Sequence, residues 1–192
     1  MRDVIKDTFL ESIQIKEQLL HNSIVQIIEI AEYIITALKK GGKLLVFGNG
    51  GSASDAQHIV AELVGKFSKE RPGLAAIALT TNSSILTALA NDYGYDIVFA
   101  RQIEALGQKN DVVLGISTSG RAKNVAAGIK QAKKMGLKTI ALTGGDGGDI
   151  AKLADVSLLV PSSSTPRIQE AHITIGHILC ELAEQAICQE EK

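Results

Sequence analysis

The 192-residue chain is 45% hydrophobic and 21% charged, the balance of a single globular domain long enough to bury a sizeable core. Its formal net charge of −1 gives no support to nucleic-acid or membrane-surface binding by bulk electrostatics, so an anionic ligand has to be held by local groups. Cys180 and Cys188, both near the C-terminal end, make neither a disulfide framework nor a zinc ribbon, and reduced thiols are the simpler reading. Met1-Arg2-Asp3 opens no signal-peptide pattern, and no apolar run approaches the ~20 residues needed to span a bilayer. The expectation is a cytoplasmic protein.

Residues 4–20 have loose helical spacing, and His21-Asn22-Ser23 interrupts them. Asn22 or Ser23 is placed to cap a second helix running to Lys40, which Gly41-Gly42 ends behind two lysines. The pattern then changes to short apolar runs at Leu44–Phe47, Leu74–Leu79, Val112–Ile116, Thr139–Leu142 and Val156–Val160. They are continuous rather than alternating, as strands buried on both faces of a parallel sheet require. Segments 52–66, 83–106, 121–135 and 146–154 supply the crossover helices, and 167–189 reads as a long closing helix. There is no internal repeat, low-complexity tract or linker. One α/β domain follows, with residues 1–40 as N-terminal helices, 41–166 as the sheet core and 167–192 as the C-terminal helix.

Such a sheet binds ligands beyond the C-terminal ends of its strands. Three stretches stand there. The first is GNGGSASDAQHIVAELVGK, Gly48 to Lys66, where glycines allow a sharp turn and close approach of a ligand. Ser52 with Asp55 fits the S-x-x-D capping pattern, so a helix from Ser52 would aim its N-terminal amides at an anion. The spacing is no Walker loop, and Ala53 stands where a dinucleotide fingerprint needs its third glycine. A plain turn from strand to helix has the same composition. His58 and Glu62, four apart, share a face of that helix, as metal pairs, acid–base pairs and solvated surface contacts all do.

The second stretch, Ile116 to Gly120 (ISTSG), lines up three hydroxyls ahead of a helix from about Ala122. They suit a phosphate cradle without a formal charge, or an ST-turn that only caps the helix. The third, Asn91-Asp92, fits either an N-cap or a pair bonded to sugar hydroxyls. On the last helix Gln169 and His177 are eight apart, about 80° around the axis, and His172 lies about 60° to the other side of Gln169. Periodicity cannot choose between the histidines.

Together, GNGGSASDAQH-x3-E, ALTT, AND, GISTSG, ALTGGDGG and RIQE-x-H-x4-H resemble the phosphoheptose isomerases over nearly the whole chain, in order. The resemblance implies the three-layer sugar isomerase (SIS) fold, with a five-stranded parallel sheet flanked by helices. It also implies a homotetramer whose active sites lie near subunit interfaces, an assembly that suits the apolar N-terminal helices. It makes His58, Glu62, Gln169 and His177 the ligands of Zn2+, and so prefers His177 to His172. Substrate positions would be Asn49, Gly50, Gly51, Ser52, Glu62, Asn91, Asp92, Ser117, Thr118, Ser119 and Gln169.

The implied reaction converts D-sedoheptulose 7-phosphate to D-glycero-D-manno-heptose 7-phosphate through an enediol, the first step of bacterial heptose (lipopolysaccharide) biosynthesis, with Glu62 as base and His177 as acid. Two positions depart from the family pattern. Ala122 stands where a serine is usual, beside Arg121, and Lys66 replaces an arginine, keeping charge but losing the bidentate fork. The competing expectation is a non-catalytic SIS-domain protein that binds the replication initiator DnaA. Those relatives lack the glutamate and the final histidine, which are present here as Glu62 and His177.

Overall fold

A computed structural model describes residues 1–189; the last three residues of the expected 167–192 helix segment lie outside that range. Five parallel strands form one sheet in the order β2-β1-β3-β4-β5. They are β1 (Leu44–Gly48), β2 (Ala76–Ala78), β3 (Val112–Ser117), β4 (Lys138–Gly144) and β5 (Val156–Val160). Among the described residues eight α-helices surround it: α1 (Arg2–Asn22), α2 (Ile24–Lys39), α3 (Gly51–Val64), α4 (Ser83–Tyr93), α5 (Val98–Leu106), α6 (Lys123–Lys134), α7 (Gly148–Leu153) and α8 (Thr165–Cys188).

Alternate residues of each strand supply two separate cores, because successive side chains leave a strand on opposite faces. Leu44 and Val46 of β1, with Leu114 and Ile116 of β3, pack under α1, α2, α3 and α8. Leu45, Phe47, Val113 and Ala141 pack under α5, α6 and α7. The result is the three-layer arrangement, both faces covered, that the continuous apolar runs demanded.

Several boundaries differ from the sequence reading, each for a local reason. The first helix continues through His21-Asn22 and breaks only at Ser23, whose side chain makes no capping bond. Neither expected cap therefore acts through its side chain. The expected strand 74–79 shrinks to three residues at the sheet edge, because Leu74 donates its amide to the Leu63 carbonyl instead of joining the ladder. The expected crossover 83–106 divides into α4, one 3-10 turn (Tyr95–Ile97) and α5. Gly94, at φ +88°, ends α4 where an L-residue would be strained.

Two motif expectations also fail. α3 begins at Gly51 behind Gly50, whose φ of +57° suits glycine, and no side chain caps it. Ser52 is therefore buried in the first turn rather than acting as the cap. Asn91-Asp92 lies in the last turn of α4, exposed, so it is no N-cap for the following helix.

Candidate active site

A sheet ordered 2-1-3-4-5 changes winding direction between β1 and β3, and ligands bind in the crevice that this reversal opens. The glycine loop leaves β1 and the serine loop leaves β3. Both motifs thus flank the switch point, and topology alone brings them together.

The glycine loop is held by named contacts. Asn49 and Asn124 exchange two amide hydrogen bonds, each 2.8 Å, which tie the loop to the first turn of α6. Asn124 is buried, and its Oδ1 also accepts the Val125 amide at 2.9 Å. The amide of Gln169, on α8, lies against the backbone of Gly51: a Cβ built there would stand 2.2 Å from Gln169 Nε2. A side chain at Gly51 would displace the Gln169 amide from this position. In the serine loop Ser117 is buried, Thr118 half-buried and Ser119 exposed. The Ser117 carbonyl accepts the Gly120 amide at 3.0 Å, closing a turn.

Two turns further along α3, three side chains converge. His58 Nε2 is 3.1 Å from Glu62 Oε1 and 3.3 Å from His177 Nε2. Their ligand atoms all lie within 4.8 Å of one another. A proton on His58 Nε2 has to be shared between two acceptors, whereas a cation would take a lone pair from each of the three. Ligand atoms bound tetrahedrally at 2.0–2.1 Å stand about 3.3 Å apart, close to the two spacings from His58. Two imidazoles and a carboxylate are also the donor set of catalytic zinc sites. The residues fit the ion. Gln169, the fourth expected ligand, sits eight residues before His177, about 12 Å of helix rise, with its amide on the glycine loop.

The structure also separates the two histidines of α8. His172 is wholly buried and donates from Nε2 to the Thr143 carbonyl at 3.1 Å, with no partner for Nδ1. Burial pushes its pKa down to about 4, against the opposing pull of the Thr143 bond. It is a neutral core residue. His177 instead edges against His58, ring centroids 4.9 Å apart, and against Phe67 at 5.8 Å.

Asp55, read in the sequence only as a capping partner, has a buried Oδ2 with no hydrogen bond. Burial pushes this carboxyl up to about 6, with His58 pulling the other way. Asn124 escaped the sequence reading because a polar residue in the first turn of a helix looks like any solvated one. Asn91 and Asp92 hydrogen-bond to each other at 2.8 Å on the exposed end of α4; among the described residues no hydrogen bond or ion pair joins them to the loops or to the histidine cluster. Lys66 pairs with Glu70, and Arg121 with Asp146 and the Ser119 carbonyl. Arg121 is thereby attached to the serine loop beside Ala122.

A five-stranded parallel sheet in the order 2-1-3-4-5, with the glycine and serine loops at its switch point and a histidine–carboxylate cluster on the helix behind the first, is the arrangement of a sugar isomerase (SIS) domain. The SIS domain family model matches residues 9–144. The phosphoheptose isomerase of Aquifex aeolicus is 54% identical over 189 residues, covering 98% of this chain and 99% of that protein. The solved phosphoheptose isomerase of Neisseria gonorrhoeae superposes with a TM-score of 0.91 at 44% identity, covering 96% of this chain and 98% of that one. That of Francisella tularensis gives 0.92 at 40%, covering 95% and 97%. The chain belongs to the SIS-domain family and, within it, to the phosphoheptose isomerases.

Proposed function

We propose that this protein is an aldose–ketose isomerase that converts D-sedoheptulose 7-phosphate to D-glycero-D-manno-heptose 7-phosphate. The convergence of His58, Glu62 and His177 beside the two switch-point loops carries the reading. Near full-length identity to phosphoheptose isomerases supports it.

In this reading the amides and hydroxyls of Ser117, Thr118 and Ser119 hold the phosphate. Asn49, Gly50, Gly51 and Ser52 line the sugar, with Asn91 and Asp92 contributing from α4. The Asn49 side chain is already engaged by Asn124, so Asn49 serves chiefly by shaping the loop. Glu62 removes a proton from C1 while His177 gives one to the C2 carbonyl oxygen, leaving a 1,2-enediol. Return of a proton to C2 and loss of the O1 proton yield the aldose, so protons balance over the cycle. His58, Glu62 and His177 would hold Zn2+, which would supply Lewis-acid polarisation of the substrate oxygens. Gln169, the fourth ligand in this reading, would have to turn its amide away from Gly51, and Glu62 and His177 would alternate between ligation and proton transfer through the cycle.

The same reading has the protein act in the cytoplasm as a homotetramer. Exposed Val4, Ile5, Phe9, Leu10 and Ile13 on α1, and Ile24, Val25 and Ile28 on α2, give it the apolar surface for assembly. Among the described residues no helix is long and apolar enough to cross a membrane.

The test is incubation of the purified protein with sedoheptulose 7-phosphate, with zinc added or removed by a chelator. Aldose product that falls on chelation and returns with zinc is expected. No aldose under any condition, with capture of the initiator protein in a parallel pull-down, would replace this reading with the non-catalytic one.

A further inference from the structure

The segment leaving α3 contains a buried ion pair that the proposed chemistry does not use. Arg71 Nε lies 3.0 Å from Glu184 Oε1, and the two side chains are 0% and 1% exposed. The rest of the guanidinium donates to backbone carbonyls. Nη2 reaches Glu62 O at 2.9 Å, and Nη1 reaches Leu63 O at 2.8 Å, Pro72 O at 3.0 Å and Gly65 O at 3.3 Å. Glu184 accepts the amides of Phe67, Ser68 and Lys69 at 2.8–2.9 Å and the Ser68 hydroxyl at 2.9 Å.

A buried pair of this kind adds little net stability, since desolvation offsets the attraction, so its use lies in what it fixes. Here it fixes three things. Arg71 satisfies carbonyls of Glu62 and Leu63 that the end of α3 leaves without helical partners. Glu184 follows His177 by seven residues, so the two lie within about 20° on the same face of α8. Glu184 also pins the loop amide of Phe67, whose ring centroid is 5.8 Å from that of His177. Glu62 and His177 stand on different helices, and this pair joins the end of one helix to the matching face of the other.

We propose that the Arg71–Glu184 pair, through Phe67, positions the His58–Glu62–His177 cluster, setting the spacing between Glu62 on α3 and His177 on α8. The proposal rests on the reading of that cluster as a metal and acid–base site. Arg71 and Glu184 are positioning residues and touch no reacting atom.

The experiment uses full-length protein, with Co2+ as an optical probe of the cluster, and measures Co2+ affinity, the visible spectrum, kcat and KM. Arg71→Lys keeps the charge but cannot reach four carbonyls; Glu184→Gln keeps the shape but weakens the grip on the loop. Phe67→Leu leaves the ion pair intact and removes the ring beside His177. In variants shown to be folded by circular dichroism, Co2+ binding about 10-fold weaker, an altered spectrum and a lowered kcat at nearly constant KM are expected.

Folded Arg71→Lys and Glu184→Gln proteins with the wild-type spectrum, affinity and kcat would overturn the positioning role. Should neither fold, Phe67→Leu decides on the same readouts, and an unchanged spectrum and kcat overturn it. Wild-type protein that neither takes up Co2+ nor turns over substrate would instead bring down the reading of the cluster, and this proposal with it.

Discussion

Two stretches of α8, five residues apart, hold a histidine each and treat it in opposite ways. Around His172 the helix faces the sheet, and the ring is sealed against the Thr143 carbonyl. Around His177 it faces α3, and the ring meets His58 across a partly open seam. One environment removes the charged form of the imidazole by taking away water. The other gathers lone pairs that a cation or a proton can use. Residue type and helical spacing are shared, so the neighbouring layer alone makes one histidine structural and the other a chemical group.

The contrast breaks most visibly at the cluster. Glu62→Gln and His177→Gln are each expected to lower turnover at least ~10²-fold, the low end for general acid–base catalysis. Steady-state assays on the folded variants check this, and near-normal turnover would remove the role assigned. His172→Gln should do the reverse, with kcat near wild type and a lower denaturation midpoint.

The pH dependence of stability sharpens the same point. The folded state keeps His172 neutral down to about pH 4, whereas the unfolded chain takes up its proton near pH 6.5. Below pH 6.5 the unfolded state therefore binds more protons, and stability falls as pH drops from 6.5 toward 4. Asp55, its carboxyl pushed up to about 6 by burial, works the other way over this range. Urea titrations at pH 7 and pH 5 should therefore show the His172 loss as the difference between wild type and His172→Gln, with the wild type losing more.

A second acid-range loss is expected from Glu184. Burial alone would raise its pKa, but the Ser68 and Phe67 amides, the Ser68 hydroxyl and the Lys69 amide hold it down to about 2. That contribution is complete above the ordinary carboxylate range and disappears as pH falls from about 4.5 toward 2. Glu184→Gln should flatten this lower window and leave the one near pH 6 in place.

Smaller effects belong to the loops. Asn124→Ala should raise KM several-fold more than it lowers kcat. A double-mutant cycle with Asn49→Ala should give a coupling of roughly 0.5–3 kcal/mol, because the two amides exchange both of their mutual hydrogen bonds across the crevice. Additive losses would dissolve the pair. Least of all, Lys66→Arg should change KM by less than about threefold, since Lys66 is exposed and already engaged by Glu70.

Much of the fold was legible in advance because burial on both faces writes itself into sequence as continuous apolar runs. Leu44–Phe47 and Val112–Ile116 needed no tertiary information to be read as strands buried on both faces. The edge strand was overdrawn because Leu74 is apolar for another reason, its place in the core under α1, α2, α3 and α8. Ser52 misled because S-x-x-D is a pattern of side chains, while Gly50 begins α3 by backbone conformation. The segment 83–106 divides at Gly94, a position the sequence reading passed over, and its positive φ supplies the reason.

By itself, then, the chain's local chemistry determined the parallel sheet, the two loops at the C-terminal ends of its strands and the candidate donors, since each depends on neighbours within one turn or one strand. The tertiary structure decided which donors meet. His58 and His177 are 119 residues apart, Asn49 and Asn124 are 75 apart, and Arg71 and Glu184 are 113 apart. No local propensity encodes such distances. The packing of α8 against α3 and the sheet decides them, and with them which histidine is buried as a neutral ring and which is left at the site.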